Sequence, residues 1–281
     1  QTYLLECTAF TLWTFTLFYH DLFSKKETKI YHIKNTTMRN VHDITKIFEQ
    51  SLCDYTGAKY ALAFDSASSA IYLALCYENI RGKEITMPER TYMSAACEVI
   101  NAGGYIKFEE VGGKTIKGAY QFKPTRVWDS ALYFSADMYM ENTMMCVSFT
   151  GAYKTLKLSK GGAILLDDKD AYEWIKKARN SGRSELSYHD DSFTMLGKNS
   201  YLMPELSARG ILLMQQFYNV DGSKKINEPV ELPYPKLKDF DIYNKRSVEQ
   251  QEICALYEYL GLLGGELDEI SKITDYESKN I

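Results

Sequence analysis

Apolar positions along the chain switch between two periods, and the switches divide it into elements. From an Asn40 cap, Val41, Ile44, Ile47, Phe48 and Leu52 recur at helical spacing, and Gly57 stands just past the end. Short apolar runs then alternate with further helical stretches. Strands are expected at 60–64, 84–87, 105–108, 126–128, 145–149 and 163–166, and helices at 68–77, 91–102, 171–181 (capped from Asp168) and 204–218. Strands separated by helices of about ten residues imply βαβ units and a mostly parallel sheet. Ligands of such sheets bind outside the carboxyl ends of the strands, so chemistry is sought in the loops that follow them.

The two ends depart from this rhythm. Residues 1–37 read as an atypical N-terminal arm or a fragment, with Met38 as an alternative start. Cys7 to Phe18 is uncharged, but twelve residues fall short of the roughly 20 that span a bilayer. Glu6 before the run and Tyr19-His20-Asp21 after it do not suit a signal peptide. Residues 38–218 form the main unit. Pro229, Pro233 and Pro235 mark 219–243 as an extended linker, and 244–281 holds one more helix, near 245–260, and a tail.

Length and composition narrow the class. The chain has 281 residues, 45% hydrophobic and 25% charged, which is globular usage with room for one large α/β unit and an appendage. A net charge of −4 leaves no basic surplus for nucleic acid, and neither a membrane span nor a metal pattern is visible. The six cysteines never form a C-x-x-C pair and the four histidines are scattered, so the thiols read as reduced and the protein as cytoplasmic.

Three segments could carry chemistry. The turn Asp65-Ser66-Ala67-Ser68-Ser69 follows a strand and opens a helix, where free amides and the helix dipole suit a phosphate; an ordinary serine cap is the plainer reading. Asp129 ends a buried strand, so it needs a partner: a protonated cofactor ring, an arginine or a backbone cap. Lys154 lies between a Ser148-Phe149 strand end and a Gly161-Gly162 strand start, where desolvation lowers an amine pKa toward what Schiff-base chemistry requires.

In order, FEQSLCDYTGAKYALAFDSASSAIYLAL, EITMPERTYMSAACEVINAGG, VWDSA, VSFTGAYKTLKLSKGGAILLDD and GKNSYLMPELSARGILLMQQ resemble the pyridoxal-phosphate-dependent sugar aminotransferases of the DegT/StrS type. The resemblance spans about residues 41–217. It implies the three-layer α/β/α large domain of fold type I, with a mostly parallel sheet and a reduced C-terminal small domain.

The resemblance also implies roles. Ser68 and Ser69 amides and the Ser148 hydroxyl hold the phosphate of pyridoxal 5'-phosphate (PLP), Tyr92 stacks on its ring, Asp129 pairs with the ring nitrogen, and Lys154 binds the cofactor covalently. Asn199, or Ser200 in its place, reaches the phosphate of a neighbouring subunit, which makes the protein a homodimer. Glutamate loads the amine and a nucleotide-linked keto-sugar receives it. Against the family pattern, Leu132 stands where a glutamine contacts the cofactor and Ala67 where the phosphate turn has glycine. The Ser148-to-Lys154 interval is one residue longer, Lys160 replaces an acid, and an arginine gives way to Tyr201 or Leu202. Asp129 follows Val111 by only 18 positions, where the family has a strand, a helix and another strand. These departures suit a second reading, in which the fold binds cofactor but has lost transamination and serves a binding or regulatory role.

Overall fold

A computed structural model of the chain describes residues 42–110 and 115–244. The expected N-terminal arm, the Asn40 cap and the helix near 245–260 lie outside them.

Helix α1, Asp43–Thr56, is closed by Gly57, whose φ of 83° lets its amide donate to the Cys53 carbonyl. Then come β1 (Tyr60–Phe64), α2 (Ala67–Tyr77), β2 (Glu84–Pro88), α3 (Met93–Asn101) and β3 (Tyr105–Glu109). Two short strands that the apolar pattern does not announce follow, β4 (Thr115–Lys117) and β5 (Tyr120–Gln121). After them stand β6 (Val127–Asp129), β7 (Met144–Ser148), β8 (Gly162–Leu166) and α4 (Lys169–Ala178). Asp168 caps α4 by accepting from the Asp170 and Ala171 amides, as expected. Helix α5 covers Pro204–Met214 and tightens into a 3-10 turn, Gln215–Phe217; β9 (Glu231–Pro233) and the short α6 (Asp241–Asn244) end the described chain.

The central sheet runs β1-β8-β7-β6-β5. Strands β6 and β7 are parallel, whereas β8 runs against both β1 and β7, and β5 against β6. The parallel pair β2–β3 joins at the β5 end through an antiparallel bridge between Thr86 and Lys123. Strands β1, β2, β3, β6 and β7 therefore share one direction.

Helices cover both faces, and the strand sequences show why. Leu62 and Phe64, Ile164 and Leu166, and Met144 and Cys146 enter one core with α2, α3 and α4. Their alternates, Ala61 and Ala63, Ala163 and Leu165, and Met145 and Val147, enter a second core with α1 and α5. Each large side chain buried completely in this way contributes about 2 kcal/mol. A buried ion pair ties three elements together: Arg179 donates to Glu49 and to the Ala63 carbonyl, and Glu49 accepts from the Ala63 amide.

Residues 219–243, expected as an extended linker, behave differently. Lys225 accepts from Tyr55 through its carbonyl, Asn227 donates to Phe134 and Ser135, and the Val230 amide donates to the Leu132 carbonyl. Strand β9 then pairs with β4, and Lys236 and Lys238 both bind Glu89, which is 1% exposed. The prolines do not loosen this segment; they sit in an edge strand and turns, where a missing amide costs nothing. It is a strap drawn across the large unit. Among the described residues no helix is long and apolar enough to cross a membrane.

Candidate active site

The carboxyl ends of β1, β7 and β6 meet along one edge of the sheet. Register sets the row: Phe64 lies across from Gly162, Gly162 from Ser148, Cys146 from Asp129, and Asp129 from Tyr120. The expected chemistry collects on this edge.

At one end is the serine turn. Ser66, in extended backbone, caps α2 by accepting from the Ser69 amide at 3.1 Å, and Ser68 donates its hydroxyl to Ser94 at the start of α3. The first-turn amides of Ala67 and Ser68 have no intrahelical acceptors, and the helix dipole adds partial positive charge. The turn rests directly on Gly162: a β-carbon there would stand 2.5 Å from the Ala67 nitrogen. Ser148 ends β7 two strands from Phe64, on the same edge.

Asp129 lies further along, 5% exposed. Burial pushes its carboxyl above the usual range; the Ala131 amide at 2.8 Å, the Tyr120 hydroxyl at 2.9 Å and the nearby Lys154 charge pull it back. Lys154 reaches the same place from the loop after β7 and donates to the Ala131 carbonyl at 2.6 Å. Burial lowers its amine pKa and the Asp129 charge opposes that. The carboxylate and the amine thus meet around one residue, Ala131.

Tyr92, the N-cap of α3, is 52% exposed, and its ring meets Tyr234 of the strap edge-on at 6.2 Å. With Thr91, Tyr120, Asp129, Ala131 and Leu132 these two tyrosines enclose a crevice of about 10 Å³, room for one water. Asn199 is exposed and bridges Asn180, whereas Ser200 is buried and its carbonyl accepts from the Asp65 amide. Of these two, only Asn199 presents a side chain outward.

Tyr120, Thr91, Ser94 and Tyr234 were not singled out by the motifs. Tyr120 and Tyr234 lie in the shortened stretch and the proline-rich segment, where no motif speaks. The one available signal was Pro124 between two apolar pairs, a turn that folds Tyr120 back onto Asp129.

The donor set suits PLP. A buried carboxylate keeps acceptor capacity for a protonated ring nitrogen, a desolvated amine stands near it, and a helix start backed by glycine lies on the same edge for the phosphate. The crevice as it stands, about 10 Å³, is smaller than a pyridine ring.

The chain is similar to known aminotransferases. The model of the DegT/DnrJ/EryC1/StrS aminotransferase family matches residues 25–119. The UDP-4-amino-4,6-dideoxy-N-acetyl-beta-L-altrosamine transaminase of Campylobacter jejuni is 22% identical over 221 residues, 64% of this chain and 58% of that protein. Helicobacter pylori PseC, an aminotransferase of pseudaminic acid biosynthesis, superposes with a TM-score of 0.51 at 18% identity, covering 62% of this chain and 57% of that one. AtS13 from Actinomadura melliaura gives a TM-score of 0.52 at 16% identity, over 63% and 60%. The chain spans less than two thirds of the length of each of these relatives. Aminotransferases of the DegT/StrS type are PLP-dependent. The first two of the motifs read from the sequence lie within the residues 25–119 that the family's model matches, and the fold is that of the PLP-dependent aminotransferases of fold type I.

Proposed function

We propose that this chain is the cofactor-binding portion of a cytoplasmic, homodimeric PLP-dependent aminotransferase that passes an amino group from glutamate to a nucleotide-linked keto-sugar. The observation that carries the reading is the meeting of Asp129 and Lys154 around Ala131, on the sheet edge that also bears the serine turn. The curated relative's action on an amino-sugar nucleotide supports the substrate class. Exposed Leu186, Tyr188, Phe193 and Leu196 on one segment support a partner subunit.

When bound, PLP supplies an electron sink for the pair left behind by a departing Cα proton. Each residue has a task around it. The Ala67 and Ser68 amides and the Ser148 hydroxyl hold the phosphate, whereas the Ser69 amide, expected there too, is taken by the Ser66 cap. Asp129 keeps a proton at the ring nitrogen, since an adjacent anion favours the charged form. Lys154, its amine pKa lowered by burial, has more neutral amine near pH 7 than a surface lysine and can take up and return the substrate proton. Tyr92 covers one ring face, and Leu132, 6% exposed, keeps water from Asp129.

The test is spectroscopic. Added PLP gives the visible band of a lysine-bound cofactor, Lys154→Ala abolishes it, and glutamate converts the cofactor to its amine form. A wild-type chain that develops no band overturns the reading. Leu132 and the narrow crevice favour a second one, a protein that binds PLP without turnover; there the band forms and glutamate leaves it unchanged.

A further inference from the structure

We propose that Tyr120 is a positioning residue for Asp129, holding the carboxylate through a chain of hydroxyls that begins at Thr91. The inference rests on the proposed role of Asp129 at the cofactor ring, and extends it to a residue outside every motif.

The geometry fixes the direction of the chain. Tyr120 Oη lies 2.9 Å from Asp129 Oδ2 and 2.8 Å from Thr91 Oγ1. An ionised carboxylate only accepts, so Tyr120 donates to Asp129, and Thr91 is left to donate to Tyr120. The other oxygen, Oδ1, accepts from the Ala131 amide at 2.8 Å. With one donor on each oxygen the carboxylate cannot rotate, and its remaining acceptor positions keep fixed directions. Thr91 is 2% exposed, so little water competes for its bond to Tyr120.

This arrangement follows from the shortened stretch before Asp129. The turn at Phe122–Thr125 folds β5 antiparallel onto β6 with Tyr120 across from Asp129, and residues opposite each other in such a pair share a face. Other groups acting on Asp129 come from separate elements: Lys154 from the loop after β7, Cys146 on β7, and Tyr234 from the strap. Of these, Lys154 is proposed to be committed to the cofactor. Tyr120 is the side-chain donor left to offset the desolvation of Asp129 throughout the reaction.

Tyr120→Phe removes the hydroxyl and keeps the ring. In the chain without cofactor, the Asp129 carboxyl followed by 13C NMR is expected to titrate at higher pH in the variant. With PLP added, the dissociation constant is expected to rise roughly tenfold, the loss of one hydrogen bond to a charged group. Thr91→Val should give a smaller rise, add nothing to Tyr120→Phe, and be rescued by Thr91→Ser. An Asp129 titration unmoved by Tyr120→Phe overturns the proposal, whatever PLP does. If the titration moves while the wild type binds no PLP, Tyr120 keeps its role and the aminotransferase reading fails.

Discussion

Gly162 lies so close beneath the turn opening α2 that a β-carbon on it would stand 2.5 Å from the Ala67 nitrogen and 2.8 Å from the Ser66 carbonyl carbon. Strand and serine turn approach closely at this point, so displacing one displaces the other. Gly162→Ala should therefore cost about 1–3 kcal/mol by overpacking, with the turn displaced outward. Urea melts measure the first effect. The second appears as weaker inorganic phosphate competition against PLP.

Lys154 is set apart from its neighbours by desolvation. Burial lowers its pKa, whereas Lys157 and Lys160 are exposed. Borohydride reduction after brief exposure to PLP should label Lys154 first, and mass spectrometry of the digest reads the site. Labelling spread evenly over the three lysines would contradict the assignment.

Asp129 carries a stability cost that depends on pH. Its folded pKa is raised by burial, so the native state binds its proton more tightly than the unfolded chain does. The stability associated with this site is greatest below the unfolded pKa and falls as pH rises through the folded value. The cofactor-free Asp129→Asn variant should then be more stable than the wild type at pH 7, and the difference should vanish by about pH 3.5, below the unfolded value. Thermal melts across that range check the sign.

The strap should gate the crevice. Tyr234→Ala removes its contact with Tyr92 and opens the space over Asp129, so PLP association should quicken several-fold in stopped-flow absorbance. Glu89→Gln, which weakens the hold on Lys236 and Lys238, should expose 224–240 to protease without changing Asp129.

Arg179 and Glu49 form a pair with little access to water, their side chains 10% and 8% exposed. Glu49→Ala strands the guanidinium and removes the acceptor of the Ala63 amide, for an expected loss of about 3–5 kcal/mol by urea melt. Replacing both partners with leucine should cost far less.

Much of the fold was legible because its signals are local. The short unbroken apolar runs YALAF and GAILL already say buried strand between two helical layers, and Ser66 and Asp168 announce their helices by capping. The order of motifs likewise singled out Asp129, Lys154 and the serine turn as candidates, since each stands at or just after the carboxyl end of a strand. Short strands were missed for the converse reason. Tyr120–Gln121 and Glu231–Pro233 are too brief for any period, and exist because partners at β6 and β4 supply their hydrogen bonds.

By itself, then, the sequence determined the layered α/β class, the longer elements and the residue types that gather at the strand ends. Periodicity and capping act over a few residues and can be read one element at a time. Tertiary structure alone decided that Lys154 and Asp129 converge on Ala131, that Tyr120 and Thr91 hold the carboxylate, and that the proline-rich segment closes over them. Those relationships join residues of separate elements, and they depend on strand register and on which hydrogen bonds remain once the core has packed.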